Sequence, residues 1–308
     1  MLISFITFIK RLECDKIKRN MNRQEFNNMN VYDQLTQLQI LEHAFVEWKD
    51  YRKALTHYIM SQFPTKSQLA IWGAGRCNDL DLKILSEHFG VICLLDKDES
   101  AMKEALKQYG LAESNKVQIK VCDFTFIGAE AYRTYADILV TEVRKEGLKT
   151  NIHQLADKAL CYLDNVEMDF DKSQLDLGTK CYEYAVMIGV HSQLISMFDW
   201  IWQVILQTLG QEDEIVRQKI IQLNEKVVRK FNVAFWKATK YKAIVGCELN
   251  KSNQVGSIQG AIQAVEQIEK EILKGTVKRE QTTYLEWPFN KSQGVSYKMQ
   301  LQVLQMNQ

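Results

Sequence analysis

The chain has 308 residues, 46% hydrophobic and 25% charged, long enough for one large domain with embellishments or two small ones. Its 39 basic and 38 acidic residues nearly cancel, so no net field draws in a polyanion, and dedicated nucleic-acid binding is not expected. The seven cysteines are odd in number, form no C-x-x-C pair and sit mostly in aliphatic runs such as "GVICLL" and "IKVCDF"; they read as reduced thiols of a cytoplasmic protein.

The opening "MLISFITFIK" is apolar but too short to span a bilayer, and it lacks the basic flank and cleavage site of a secretory signal. Residues 1–30 are expected to be a poorly ordered or short helical extension, with Met21 and Met29 as alternative starts. From Val31 to Phe63, Leu35, Leu38, Leu41, Phe45, Trp48, Leu55 and Ile59 recur at helical spacing, which predicts one long amphipathic helix or two with a kink, ended by Pro64. Its aromatic residues Tyr32, Trp48, Tyr51 and Tyr58 either pack against a core or make residues 31–64 a helical lid over a ligand crevice.

Short aliphatic runs then alternate with helical patterns: "LAIWG", a helix Asn78 to Phe89, "VICLLD", a helix Glu99 to Tyr109, and "VQIKVCDF". This alternation predicts a parallel sheet with helical crossovers. Helical patterns at Glu130 to Glu146 and Asn151 to Val166 are one helix more than a crossover needs, so an insertion is expected at about 127–170. "YEYAVMIGV" resumes the sheet, an apolar helix follows from Leu194 to Leu209, and another runs from Ile215 to Phe235. "YKAIVGCEL" is the fifth strand, and Ser257 is placed to cap a helix that Gly275 terminates. Two alternating runs, "REQTTYLEW" and "VSYKMQLQVL", form a closing antiparallel pair joined by a turn containing Pro288, Asn290 and Gly294.

The stretch "LAIWGAGRCNDLDL" places Gly73 and Gly75 directly after the first strand. Glycines there let backbone N–H groups come close to a ligand, because no Cβ intervenes. "LLDKD" then puts Asp96 at the carboxyl edge of the second strand, about 20 residues on, where a carboxylate accepts hydrogen bonds from ribose hydroxyls. "VCDF" brings Asp123 and Phe124 to the same edge, where open α/β sheets bind their ligands.

With these residues in place the chain resembles the class I S-adenosylmethionine-dependent methyltransferases over roughly Leu69 to Leu304. "IWGAGRC" stands at the family's glycine loop, Asp96 at its ribose-binding acid and Asp123 at its adenine-contacting acid. The resemblance implies a Rossmann-like, mostly parallel seven-stranded α/β sheet with an antiparallel last strand, in a domain spanning 65–308. It implies S-adenosylmethionine as cofactor, with Gly73 and Gly75 near the methionine moiety, Asp96 and Lys97 near the ribose, and Asp123 and Phe124 near the adenine; Ala74 and Gly189 are further cofactor-binding candidates, and Arg76 and Asn78 either touch the cofactor or begin the helix.

Two positions depart from the pattern. The family's acid before the loop is Ile71 here, and its third glycine is Cys77. Asp79 or a residue of the N-terminal helix is the available substitute for the acid. In the loop after the fourth strand, "GVHSQL", His191 is either a general base assisted by Gln193 or a bystander beside a helix capped by Ser192. No Asn-Pro-Pro-aromatic motif is present, and the remaining histidines lack companions at metal-ligand spacing. The expected activity is methyl transfer to O, N or S of a small molecule. A degenerate binding module, an aminopropyl transferase and a nicotinamide enzyme are the alternatives.

Overall fold

The computed structural model describes residues 29–251 and 259–307; residues 1–28 of the expected N-terminal extension and the Ser257 cap lie outside them. The chain divides into two units. Of the described residues, one takes those up to Leu41, Thr125–Ser173 and Ile195–Asn224; the other takes Glu42–Phe124, Gln174–Leu194 and those from Glu225 onward.

The N-terminal segment forms three helical pieces rather than one or two: α1 (Val31–Leu38), α2 (Ala44–Glu47) and α3 (Lys49–Gln62). Asn30 caps α1 by accepting the Tyr32 N–H, and α3 ends where Phe63 turns extended ahead of Pro64. The remaining elements are β1 (Gln68–Trp72), α4 (Leu82–His88), β2 (Val91–Asp96), α5 (Glu99–Gln108), β3 (Val117–Val121), α6 (Ala129–Glu146), α7 (Ile152–Lys172), β4 (Tyr182–Ile188), α8 (Ser196–Leu209), α9 (Ile215–Ala238), β5 (Thr239–Lys251), α10 (Gln259–Leu273), β6 (Val277–Asn290) and β7 (Val295–Met306).

In the helical unit, α1 and α8 both pack on α6, and α6 lies against α7. Tyr32 stacks on Tyr132 with ring centroids 5.4 Å apart, and Phe198 packs against Tyr132 and Tyr135. Arg133 grips the Asp33 carboxylate through both Nε and Nη2, which ties α1 to α6. The helices α6 and α7 occupy the place of the expected insertion between the third and fourth strands.

The sheet unit holds all seven strands in the order β3-β2-β1-β4-β5-β7-β6. Pairings from β3 through β5 are parallel, whereas β7 runs antiparallel to both β5 and β6. The central strands are buried on both faces, which is why they read as unbroken aliphatic runs: Leu69, Ala70, Ile92, Leu94 and Leu95 are all fully buried. Each large aliphatic side chain so withdrawn from water contributes roughly 1.5–3 kcal/mol. The outer strand β3 alternates instead.

Two boundaries differ from expectation in ways that matter for the site. The helix expected from Asn78 starts only at Leu82, because Asp81 caps it by accepting the Lys83 and Ile84 N–H groups. A loop from Gly73 to Leu80 therefore separates β1 from α4. Pro288 lies within β6 rather than in the closing turn, at a register shift between Trp287 and Asn290 where no ladder donor is needed. The turn itself is the short 3₁₀ segment Lys291–Gln293 followed by Gly294 at φ +62°.

Candidate functional site

The parallel strands of the sheet unit end at one edge, and the loops after β1, β2 and β4 and the far half of β5 bring the site residues together there. Gly73, Gly75 and Cys77 all adopt positive φ, at +71°, +47° and +48°. The turn is closed by the Gly73 and Ala74 N–H groups donating to the Leu95 carbonyl, and by Cys77 N–H donating to Ala74 O.

The two glycines serve different purposes. A Cβ on Gly73 would stand 2.4 Å from Val190 Cγ2, so this glycine admits the loop after β4. A Cβ on Gly75 would meet nothing nearer than Asp96 Oδ2 at 4.0 Å, so its positive φ and open surroundings are what glycine supplies there. Gly75 N–H donates to Asp96 Oδ2 at 2.9 Å, and Asp98 N–H donates to Oδ1 at 2.9 Å. Burial nonetheless pushes the Asp96 carboxyl above its ordinary pKa, the amide donors only partly offsetting it.

Ala74 is buried, and Asn78 offers its carbonyl to the Arg52 guanidinium. Arg76 pairs with Glu104 of α5 at 2.9 Å, and Lys97 is exposed. Asp123 is half-buried just beyond β3. Phe124 is buried, stacked on Trp72 at 5.4 Å and packed on Phe231 of α9 at 4.9 Å, within an aromatic core that also includes Phe235. Its ring is thereby committed to the interior. The Cys77 thiol is buried and pushed well up by that burial, the opposite of an activated nucleophile.

Ile71 belongs to the core of β1, so no acid precedes the glycine loop. Asp79 is the nearby carboxylate, and burial pushes it up to about 6 despite the Arg52 charge that draws it down. Arg52 itself is buried on α3, where it donates to Phe45 O and Asn78 O at 2.7 and 2.9 Å. The N-terminal helix thus brings a cation to the loop.

On the loop after β4, Gly189 has φ +64° and His191 is 1% exposed. His191 Nε2 lies 2.8 Å from Asn232 Oδ1, and Nδ1 has no partner among the described residues. Burial drives its pKa down to about 4 against the smaller pull of Asn232, so the imidazole is neutral at pH 7. Ser192 does not cap α8: its hydroxyl donates to Glu248 Oε1 at 2.9 Å, and α8 begins without a side-chain cap. Gln193 is exposed.

Glu248 of β5 is the residue that sequence reading missed. It is 1% exposed, its Oε2 has no partner among the described residues, and burial raises its pKa. Around it stand Tyr51 of α3 and Trp287 of β6, both buried and stacked at 6.0 Å, with the Tyr51 hydroxyl and Trp287 Nε1 also without a partner among the described residues. A carboxylate at the end of an otherwise aliphatic strand, "AIVGCEL", was the available signal. A separate cavity of about 290 Å³ lies at the opposite edge, by the starts of β4 and β5, where Trp236, Thr239 and Met306 line it. Among the described residues no group of three or more His, Cys, Asp or Glu is placed to hold a metal ion, and no helix is long and apolar enough to cross a membrane.

No family model and no curated protein matches the chain. Among solved structures it is similar to a magnesium protoporphyrin IX methyltransferase from Synechocystis PCC 6803 with bound S-adenosylhomocysteine, at 9% identity over 87% of this chain and 89% of that one, TM-score 0.44. It is also similar to a SAM dependent methyltransferase from Aquifex aeolicus, at 8% identity over 89% and 97%, TM-score 0.42. A third likeness is the N-methyltransferase NodS from Bradyrhizobium japonicum WM9, at 10% identity over 99% of both chains, TM-score 0.37. The strand order and the single reversed strand, observed in this chain itself, are those of the class I methyltransferase fold.

Proposed function

We propose that the chain binds S-adenosylmethionine at the carboxyl edge of β1, β2 and β3 and transfers its methyl group to a small-molecule acceptor in the cytoplasm. The observation that carries this reading is the Gly75–Asp96 arrangement, a positive-φ glycine in open surroundings whose N–H is tied to a carboxylate ending the neighbouring parallel strand. Both oxygens of Asp96 keep acceptor capacity beyond the two amide bonds they make, which suits a pair of ribose hydroxyls. Asp123 is assigned to the adenine amino group, with Phe124 and Trp72 fixing the chain beneath it. Asp79, beside Tyr51 and Arg52, is assigned to the cofactor's ammonium group in place of the acid that Ile71 replaces.

The bound cofactor supplies an electrophilic methyl on a sulfonium. The chain's part is to align an acceptor with it and to exclude water, which by themselves account for a large share of such a rate enhancement. His191 is assigned a positioning role, holding the loop after β4 to α9 through Asn232, since a buried imidazole with pKa about 4 is a weak proton acceptor at pH 7. The near-neutral charge of the chain favours a small acceptor over a polyanion.

The test is ligand-dependent stabilisation. S-adenosylmethionine and S-adenosylhomocysteine should raise the melting temperature, whereas NAD and NADP should not. A shift with a nicotinamide nucleotide alone would falsify the reading.

A further inference from the structure

We infer that Glu248, Tyr51 and Trp287 form the acceptor site of this protein and that the acceptor is an amine. The inference rests on the methyl-transfer reading above and names its substrate class. Two buried acceptor atoms here, Glu248 Oε2 and the Tyr51 hydroxyl oxygen, have no partner among the described residues, and Trp287 is stacked beside them on Tyr51. Groups so withdrawn from water are hydrogen-bonded in most proteins, and two acceptors together mark a place where a donor ligand completes the bonding.

Their surroundings specify the ligand's chemistry. Glu248 Oε1 is held by the Ser192 hydroxyl at 2.9 Å, which fixes the carboxylate and leaves Oε2 for a donor. Gly189, at φ +64°, brings bare backbone alongside: a Cβ there would lie 3.2 Å from Glu248 Oε1 and 3.6 Å from Trp287 Cζ3. Tyr297 packs on Trp287 with centroids 5.8 Å apart, and the pKa values of Tyr51 and Tyr297 are raised chiefly by burial, with a smaller contribution from the nearby Glu248 charge and, for Tyr51, from Asp79. A fixed carboxylate beside aromatic side chains is a combination that binds an ammonium, through a charge-assisted hydrogen bond and cation–π attraction. Among the described residues no lysine or arginine pairs with Glu248.

The same carboxylate can do the proton work. An ammonium donates one proton to Glu248 Oε2 and becomes a neutral amine with a free lone pair. That lone pair forms the new N–CH3 bond while the S–CH3 bond of the sulfonium breaks, its electron pair remaining on sulfur. The products are the methylated ammonium and S-adenosylhomocysteine, with the transferred proton left on Glu248. A carboxyl group whose proton affinity is raised by burial is suited to this role.

The experiment offers the S-adenosylmethionine-loaded protein phenethylamine, spermidine and other primary and secondary amines beside the matched alcohols, carboxylic acids and thiols. It measures S-adenosylhomocysteine release, and calorimetric binding of the same probes to the S-adenosylhomocysteine-loaded protein. Amines alone should bind and turn over. Glu248→Gln should lower amine turnover by roughly a hundredfold or more at pH 7. It should leave S-adenosylhomocysteine affinity within about twofold. Tyr51→Phe removes a hydroxyl that bonds to none of the described residues and so preserves the fold; it should weaken amine binding several-fold. Turnover of alcohols, acids or thiols in preference to amines, amine turnover indifferent to both substitutions, or no amine bound by a protein that binds S-adenosylhomocysteine would each overturn the assignment. Failure of the wild type to bind S-adenosylhomocysteine at all would instead strike the methyl-transfer reading.

Discussion

The backbone N–H of Gly75 donates to Asp96 Oδ2 at 2.9 Å, so the loop after β1 and the end of β2 are a single hydrogen-bonded unit. Only a residue free to hold φ +47° presents its N–H to that carboxylate while leaving the space above open. Asp96→Ala is therefore expected to act twice, removing the ribose acceptor and releasing the loop. Cofactor affinity should fall by about 1.5–3 kcal/mol, the range for hydrogen bonds to a charged group. Asp96→Asn, which keeps one acceptor oxygen for Gly75, should fall between the two. Calorimetric titration with S-adenosylhomocysteine measures all three, and equal affinities would remove Asp96 from the site.

Gly73 makes a separate prediction, because its need for glycine arises inside the protein. Gly73→Ala forces a Cβ onto Val190 and holds an L-residue at φ +71°. The backbone part alone costs about 1–2 kcal/mol, with overpacking on top. Adding Val190→Ala should recover the packing part and leave the backbone part. Urea denaturation of the single and double variants separates them, and full recovery by Val190→Ala would show that the φ value carries no strain.

His191 predicts a pH dependence of stability. Its folded-state pKa of about 4 lies below the ordinary 6.5, so between those values the unfolded chain binds a proton that the native protein does not. Stability is unaffected above about pH 6.5 and is lost as pH falls toward 4, on the order of 3 kcal/mol in total. His191→Gln retains an N–H donor for Asn232 and does not titrate, so the difference between wild type and variant should narrow steadily over that range. Turnover of the variant at pH 7 should stay within about threefold of wild type; a hundredfold loss would give His191 back the role of base.

How far these features can be read from sequence depends on whether they are local. Strands β1, β2 and β5 were legible because a strand buried on both faces has to be an aliphatic run, and β6 and β7 because a half-exposed antiparallel pair alternates. Asp96 was legible for the same reason, as the acid that ends such a run. The breaks near Gln39 and Trp48 were not, since the apolar spacing continues across them without glycine or proline. The late start of α4 turns on one choice, Asp81 rather than an earlier residue as the cap. Glu248 was missed because its meaning depends on Ser192, 56 residues away, and on Trp287 on a different strand. Pattern within a window cannot report a carboxylate's partner across the sheet.

Asp79 gives the last prediction, and it tests whether the acid missing at Ile71 has been supplied from inside the loop. Burial pushes Asp79 up to about 6, so near pH 5 most of it is protonated and near pH 7 most of it is charged. If the cofactor's ammonium group binds there, the charged carboxylate is the competent form. S-adenosylhomocysteine affinity should then rise roughly tenfold between about pH 5 and pH 7, and binding at pH 6 should release part of a proton. Asp79→Asn should abolish the rise and hold affinity near the low-pH value throughout, because the amide oxygen still accepts a hydrogen bond but brings no charge. Arg52 sets the opposing contribution: Arg52→Met should push the Asp79 pKa further up and move the rise toward higher pH. Calorimetry in two buffers of different ionisation enthalpy reads the proton count directly. A flat affinity profile in the wild type, with no proton released, would mean that the cofactor's ammonium group lies elsewhere and that Asp79 serves only to hold Arg52 against the loop.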